Sequence, residues 1–213
     1  MDETNAKKGS QIFFYRQDMK PIWRALAVLS VLFVLFAALH LNRQASSAGT
    51  AAPLGEAKAF KTLNLETLDG GVFTAEDLKE YEVIVVDVWA TWCFHCVEEM
   101  PTVAKFSDSL GKIFPDNKVL YIGLCTDLVD AEGNLNEELL GVARDISDKA
   151  GVHYPQLIAD RDFNNDFTAA YVVGLPTVFY LDGDGNVIAQ TGGLSANGYT
   201  LQVINLLNEQ GEA

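Results

Sequence analysis

The chain has 213 residues, is 49% hydrophobic and carries a formal charge of −14 at pH 7, a length that suits one domain with an appendage. Residues 1–43 hold six Lys/Arg against three Asp/Glu, so the remainder is strongly acidic. A domain of that sign is a poor partner for nucleic acid or anionic lipid, and an acidic surface by itself serves solubility.

From Ala25 to Leu39 the chain is nearly unbroken hydrocarbon, interrupted by Ser30, and His40, Leu41 and Asn42 extend it to Arg43. About 17–25 apolar residues span a bilayer, so residues 25–42 are predicted to form a transmembrane signal anchor. Lys7, Lys8, Arg16, Lys20 and Arg24 precede it, and only Arg43 closely follows. That bias predicts a cytoplasmic segment over 1–24 and a single-pass protein whose C-terminal domain lies outside the cytoplasm, in the periplasm or on the extracytoplasmic face. The competing reading is a signal peptide cut near Ser46-Ser47-Ala48. The long leader and the polar residues His40, Asn42 and Arg43 favour an uncleaved anchor. Residues 43–58, rich in Ala, Ser and Gly, read as a flexible linker, and the folded domain is predicted over 59–213.

Within that domain Leu63 and Leu65 alternate with polar residues, and Asp69-Gly70-Gly71 marks a turn before Val72-Phe73. Thr74-Ala75-Glu76-Asp77 resembles a capping box that opens a short helix to about Glu80. Val83 to Trp89 is apolar on both faces except at Asp87, which predicts a covered central strand. A helix follows Cys96, with Met100, Val103, Phe106 and Leu110 at helical spacing and a kink expected at Pro101. Val119 to Leu124 reads as a second buried strand, Asn134 to Ala150 as an amphipathic helix, Tyr154 to Ala159 as a short strand, and Asp162 to Tyr171 as a helix. Thr177–Leu181 and Val187–Thr191 flank Asp182-Gly183-Asp184-Gly185-Asn186, a hairpin turn. The same five residues superficially suggest a calcium loop. The EF-hand pattern needs Gly sixth and Glu twelfth, and Val187 and Gly193 stand there. Ala196 to Glu209 supplies a last helix. The order of elements predicts an α/β fold, a mixed sheet flanked by helices on both faces.

The informative stretch is Trp89-Ala90-Thr91-Trp92-Cys93-Phe94-His95-Cys96. Strand, then Cys-x-x-Cys, then helix is the context in which the motif signals thiol–disulfide exchange. A helix running from Cys93 points its unpaired N–H groups and positive dipole end at that sulfur, which favours the reactive thiolate. Cys96 lies one turn on, placed to attack a mixed disulfide and release the partner. A structural disulfide or half of a zinc site uses the same spacing. A tetrahedral zinc site needs two more ligands, and His95, between the cysteines, is badly placed to close one with Cys125.

These features resemble the thioredoxin superfamily, and within it the membrane-anchored TlpA/ResA-like thiol–disulfide oxidoreductases. The residues that carry the resemblance are Val85-Val86-Asp87-Val88-Trp89-Ala90-Thr91-Trp92-Cys93-x-x-Cys96, Glu99-Met100-Pro101 and Gly174-Leu175-Pro176-Thr177. It covers roughly Phe60 to the C-terminus, and the stretch from Val119 to Tyr171 is similar to the central βα-type insertion of that branch. The departure is Phe94-His95 between the cysteines, where thioredoxin has Gly-Pro. His there is similar to the oxidising DsbA-type active site.

The resemblance implies a thioredoxin-like fold and a membrane-tethered oxidoreductase that reduces protein disulfides through Cys93 and Cys96. It implies no cofactor beyond the redox-active disulfide, and no metal. It places Asp87 as the buried acid that helps move the proton of the resolving cysteine, with its pKa raised by desolvation. It makes Leu175–Pro176 a cis peptide bond beside the disulfide, where Leu175's backbone pairs with an incoming peptide. Trp92 and Trp89 either frame the sulfur with apolar surface or belong to the core. Phe94 and His95 tune the couple, a positive charge at His95 favouring the Cys93 thiolate. Glu98 and Glu99 read as structural, with Glu99 a functional candidate as well, and Cys125 as an inert core thiol. The implied partners are protein disulfides or thiols, with apocytochrome c among them through cytochrome c maturation, and a membrane electron donor of the DsbD/CcdA type. A DsbA-like disulfide-forming oxidase is the alternative, suggested by Phe-His. A metal-binding or scaffolding thioredoxin-like module is the alternative of another class. The peroxidases of the superfamily present Pro-x-x-x-Thr/Ser-x-x-Cys, and no Pro stands in that register before Cys93.

Overall fold

The computed structural model describes residues 58–116, 118–193 and 196–211. The expected cytoplasmic segment 1–24, the anchor 25–42 and nearly all of the linker 43–58 lie outside these. Among the described residues no helix is long and apolar enough to cross a membrane.

The elements in order are α1 (Lys58–Lys61), β1 (Asn64–Glu66), β2 (Val72–Thr74), α2 (Ala75–Leu78), β3 (Val83–Trp89), α3 (Phe94–Ile113), β4 (Val119–Cys125), α4 (Glu137–Ala150), β5 (Gln156–Ile158) and α5 (Arg161–Phe163). A π-helical turn at Asn164–Thr168 leads into α6 (Ala169–Tyr171), then β6 (Thr177–Leu181), β7 (Val187–Gly192) and α7 (Ala196–Gly211). Five strands form one sheet in the order β5-β4-β3-β6-β7. β3, β4 and β5 run parallel, and β6 and β7 are antiparallel to their neighbours. The β1–β2 hairpin forms a separate pair docked on β5, where Leu68 N–H donates to the Gln156 carbonyl at 2.8 Å.

β3 is central because every one of its side chains is buried, as a strand covered on both faces must be. Period-two alternation then sorts its residues. Ile84, Val86 and Val88 join Phe60, Leu63, Leu78, Phe163, Phe167 and Phe179 on one face. Val83 and Val85 join Val103, Phe106 and Leu110 of α3 and Tyr199, Val203 and Leu206 of α7 on the other. Each large side chain so buried contributes roughly 1.5–3 kcal/mol. Asp87 shares the second face with α3.

The expected mixed sheet with helices on both faces is what the chain forms, with differences at element ends. The capping box at Thr74 is made: its N–H and hydroxyl both donate to Asp77 Oδ2, at 2.7 and 2.8 Å, but α2 stops at Leu78. α4 starts at Glu137 rather than Asn134, because Asn136 is its cap, accepting from Leu139 N–H at 3.1 Å. Leu135, read as part of that helix, instead bridges to Val129. The helix expected over Asp162–Tyr171 begins at Arg161 after the cap Asp160 and widens into the π turn. α1 was not expected; it exists to bury Phe60, whose ring meets Phe167 at 4.7 Å. α3 runs through Pro101 as one helix. The Asp182 turn is a hairpin: its Oδ1 accepts from Asp184 and Asn186 N–H, and Gly185 takes a φ of 75°.

Candidate active site

The site lies where β3 ends and α3 begins. Cys93 and Cys96 are joined in a disulfide with Cα atoms 5.3 Å apart. Cys93 is the N-cap of α3, and its Sγ accepts the Cys96 N–H at 3.3 Å. One otherwise unpaired helix N–H is thus aimed at that sulfur. Cys93 and Cys96 keep only 5% and 4% of their surface. The disulfide packs in an apolar cluster with Trp89, Met100, Cys125, Leu128 and Leu140. Trp92 and Phe94, the residues on either side of Cys93, are each 71% exposed.

Trp89, in contrast, is core at 1% exposure. Its indole N–H donates to Gln156 Oε1 at 2.8 Å. The Gln156 side chain reaches it by crossing Gly123, where any Cβ would collide with the amide. Gly123 is also the register partner of Asp87.

Asp87 is 8% exposed and its Oδ1 has no hydrogen-bond partner. Burial pushes its carboxyl up to about 7, Glu99 adding to the rise and the Tyr121 hydroxyl opposing it. Tyr121, Tyr154 and Tyr180 surround the acid, and burial together with its charge raises each of them, Tyr180 to about 12.

Leu175–Pro176 is a cis peptide bond, and Leu175 packs against the cluster that holds both cysteines. The loop is closed by Thr177 Oγ1, which donates to the Gly174 carbonyl at 2.5 Å. Glu99 reaches the same place: a Cβ built on Gly193 would meet Pro176 at 2.6 Å and Glu99 Oε2 at 3.0 Å. Sequence reading called Glu99 structural with a functional candidacy besides, and its carboxylate lies near the proline loop and acts on the buried acid.

His95 is exposed and turned to Glu98, with Nδ1 3.7 Å from Oε2, and its ring meets that of Phe94 at 5.5 Å. A charge on it is thus shared with a carboxylate rather than offered to Cys93 alone. Cys125 is buried, as expected of a core thiol, and burial pushes its pKa well up. Among the described residues no three His, Cys, Asp or Glu side chains gather as a metal site would require.

The AhpC/TSA family model matches residues 55–190. The chain belongs to the AhpC/TSA family. Its relatives with names point the same way as the motif did. Thioredoxin-like protein YneN of Bacillus subtilis is 28% identical over 130 residues, 61% of this chain and 67% of YneN. The thiol-disulfide oxidoreductase ResA of Bacillus anthracis is 29% identical over 124 residues, 58% of this chain and 61% of ResA. The match therefore spans less than two thirds of ResA's own length. Among solved structures, MTB DsbF in its mixed oxidised and reduced forms superposes with a TM-score of 0.53 at 25% identity. It covers 70% of this chain and 97% of DsbF. A thiol:disulfide interchange protein of Chlorobium tepidum gives a TM-score of 0.54 at 23% identity, covering 74% of this chain and 96% of its own, a likeness of fold. This AhpC/TSA family member has a thioredoxin-like fold.

Sequence reasoning missed Gln156, the tyrosines around Asp87, and Asp127, whose carboxylate accepts from the Thr91 backbone and hydroxyl. A signal for Asp127 existed. It follows the C-terminal end of β4, the parallel neighbour of β3, and sites of α/β sheets gather at such ends.

Proposed function

We propose that the protein reduces disulfides of other proteins, with Cys93 as nucleophile, Cys96 as resolving thiol and Asp87 as proton acceptor. The observation that carries this reading is the Cys93–Cys96 disulfide at the N-terminus of α3, with Cys93 in the capping position. The Cys93 thiolate attacks a partner disulfide, forming a mixed disulfide and expelling one partner thiolate. Cys96 gives its proton to Asp87 and attacks Cys93 Sγ. The second partner thiolate leaves and takes up a proton, and the protein is left with the disulfide seen here. Two electrons and two protons from a donor restore the dithiol.

A carboxyl with a pKa of about 7 is divided between its two forms near neutral pH, so it can accept that proton and release it again. Trp92, Leu175 and Pro176 form the wall against which an extended segment of the partner lies, its main chain paired with that of Leu175. The reducing direction is supported by the acidic company of the couple. Glu99 stands beside the proline loop and Glu98 pairs with His95. Negative charge disfavours a thiolate, and a less favoured thiolate makes the dithiol more reducing.

The N-terminal apolar run and its one-sided basic flank support a single-pass tether at residues 25–42, with the domain outside the cytoplasm. A reductase there needs recharging, which a membrane donor of the DsbD/CcdA type supplies. Apocytochrome c is a substrate of fitting chemistry, since its cysteines must be reduced before they bind haem. Titration of the couple against glutathione tests the direction. A potential near about −270 mV agrees with a reductase, and one near about −120 mV makes the protein the disulfide-forming oxidase that Phe94-His95 suggests.

A further inference from the structure

Asp127 has no part in the reaction just described, yet it is the carboxylate most tightly engaged with the turn that carries Cys93. Thr91 N–H donates to both of its oxygens, at 3.1 and 3.0 Å, and Thr91 Oγ1 donates to Oδ2 at 2.6 Å. The Cys125 thiol donates to Oδ1 at 3.3 Å. Thr126 adds a parallel stitch, its N–H and hydroxyl donating to the Trp89 carbonyl at 3.0 and 3.2 Å. The register explains the meeting: Trp89 pairs with Cys125, so the chain leaving β3 and the chain leaving β4 run side by side. Thr91 stands two residues before Cys93, and Cys93 N–H closes the turn on the Ala90 carbonyl at 3.0 Å.

A neutral acceptor would satisfy one backbone N–H and one hydroxyl. A carboxylate does this and also fixes a negative charge against Thr91, two residues before the cysteine that must become a thiolate. We propose that Asp127 is a positioning residue that holds the Cys93 turn and biases the Cys93–Cys96 couple toward the disulfide. On reduction the neutral disulfide takes two electrons, and Cys93 is left as the thiolate. A fixed anion nearby raises the energy of that thiolate and leaves the disulfide untouched, so the reduced protein gives up its electrons more readily.

The same carboxylate holds Cys125 as a neutral thiol. Cys125 shares the apolar cluster of the disulfide. As a thiolate, attacking Cys96 Sγ, it would break the Cys93–Cys96 bond, form Cys125–Cys96 and release Cys93 without net redox change. Burial and the Asp127 charge both oppose that thiolate.

The proposal rests on the exchange reading above. It is tested by equilibrating the full chain with reduced and oxidised glutathione and counting disulfide against dithiol by mass. Asp127→Asn keeps an acceptor for Thr91 and removes the charge, and is expected to lower the constant for disulfide formation roughly three- to tenfold. Asp127→Ser, which also keeps an acceptor, is expected to shift it likewise and serves where Asn does not fold. Thr91→Val, which removes one hydrogen bond and leaves the charge, is expected to stay within about twofold of wild type. An unchanged constant in the uncharged variants with a lowered Tm makes Asp127 merely structural and overturns the proposal. A Thr91→Val variant as shifted as Asp127→Asn overturns the charge argument too. A wild-type protein that does not exchange with glutathione defeats the exchange reading itself, a different result from either.

Discussion

The two faces of β3 are built from one heptapeptide and do different work. Ile84, Val86 and Val88 meet a wholly apolar layer in which Phe60, Phe163, Phe167 and Phe179 touch ring to edge, with centroids 4.7–5.3 Å apart. Among the described residues the buried members of that layer carry no titratable group, and Tyr81 and Tyr171 pack only at its half-buried margin. Val83, Val85, Asp87 and Trp89 face tyrosines, cysteines and a carboxyl oxygen without a partner. The first face stabilises the fold and tolerates no polarity. The second gives up some of that stability to hold a buried acid near neutrality on the face it shares with α3. Separating the two jobs by alternation lets one strand do both.

The comparison can be broken by substitution. The largest effect is expected from Cys93→Ser on the reactive face. Disulfide-reductase turnover should fall to the uncatalysed rate while the folded far-UV signal persists; residual turnover would move the nucleophile elsewhere. Next, Phe167→Ala on the apolar face should cost about 3–5 kcal/mol of stability by cavity formation. Its Cys93–Cys96 potential should not move, and a shifted potential would show that the faces are coupled.

Asp87→Asn should act in the opposite sense on stability. The wild-type carboxyl titrates near 4 when unfolded and at about 7 when folded. Between those values the unfolded chain has lost a proton that the native state still holds, so stability falls as pH rises from about 4 to about 7 and then levels. Asn cannot ionise, so at pH 8 the variant should be more stable by up to about 4 kcal/mol, the advantage vanishing below about pH 4. Denaturant melts at the two pH values check this, and equal gains at both would remove the buried charge from the account. The same variant should lose the inflection near pH 7 in its exchange rate. The smallest stability effect is expected from Trp92→Ala, within ~0.5 kcal/mol because the side chain is exposed, with a raised KM for a protein disulfide. An unchanged KM would take Trp92 off the binding wall.

Much of this was legible before any coordinates. The unbroken apolar run at Val83–Trp89 dictated a central strand, and the single Asp87 within it stood out because a buried carboxylate needs a reason. Cys-x-x-Cys at a strand-to-helix junction pointed to thiol–disulfide exchange. The pairs that escaped notice are those made by register rather than by spacing. Asp127 meets Thr91, and Gln156 meets Trp89, only because β4 and β5 lie beside β3 in parallel, which no local pattern states. The coverage of Cys93 escaped for the same reason, since Leu128 and Leu140 arrive from far along the chain. The pairing of His95 with Glu98, by contrast, is one helical turn long and can be read from the sequence.

The central claim is that Cys93 exchanges bonds with another protein and Cys96 resolves them. The most direct measurement incubates the reduced Cys96→Ser chain with a disulfide-bonded peptide and maps the products by mass spectrometry. The account predicts a stable mixed disulfide on Cys93 and none on Cys125. No adduct, or an adduct carried by Cys125, would contradict it.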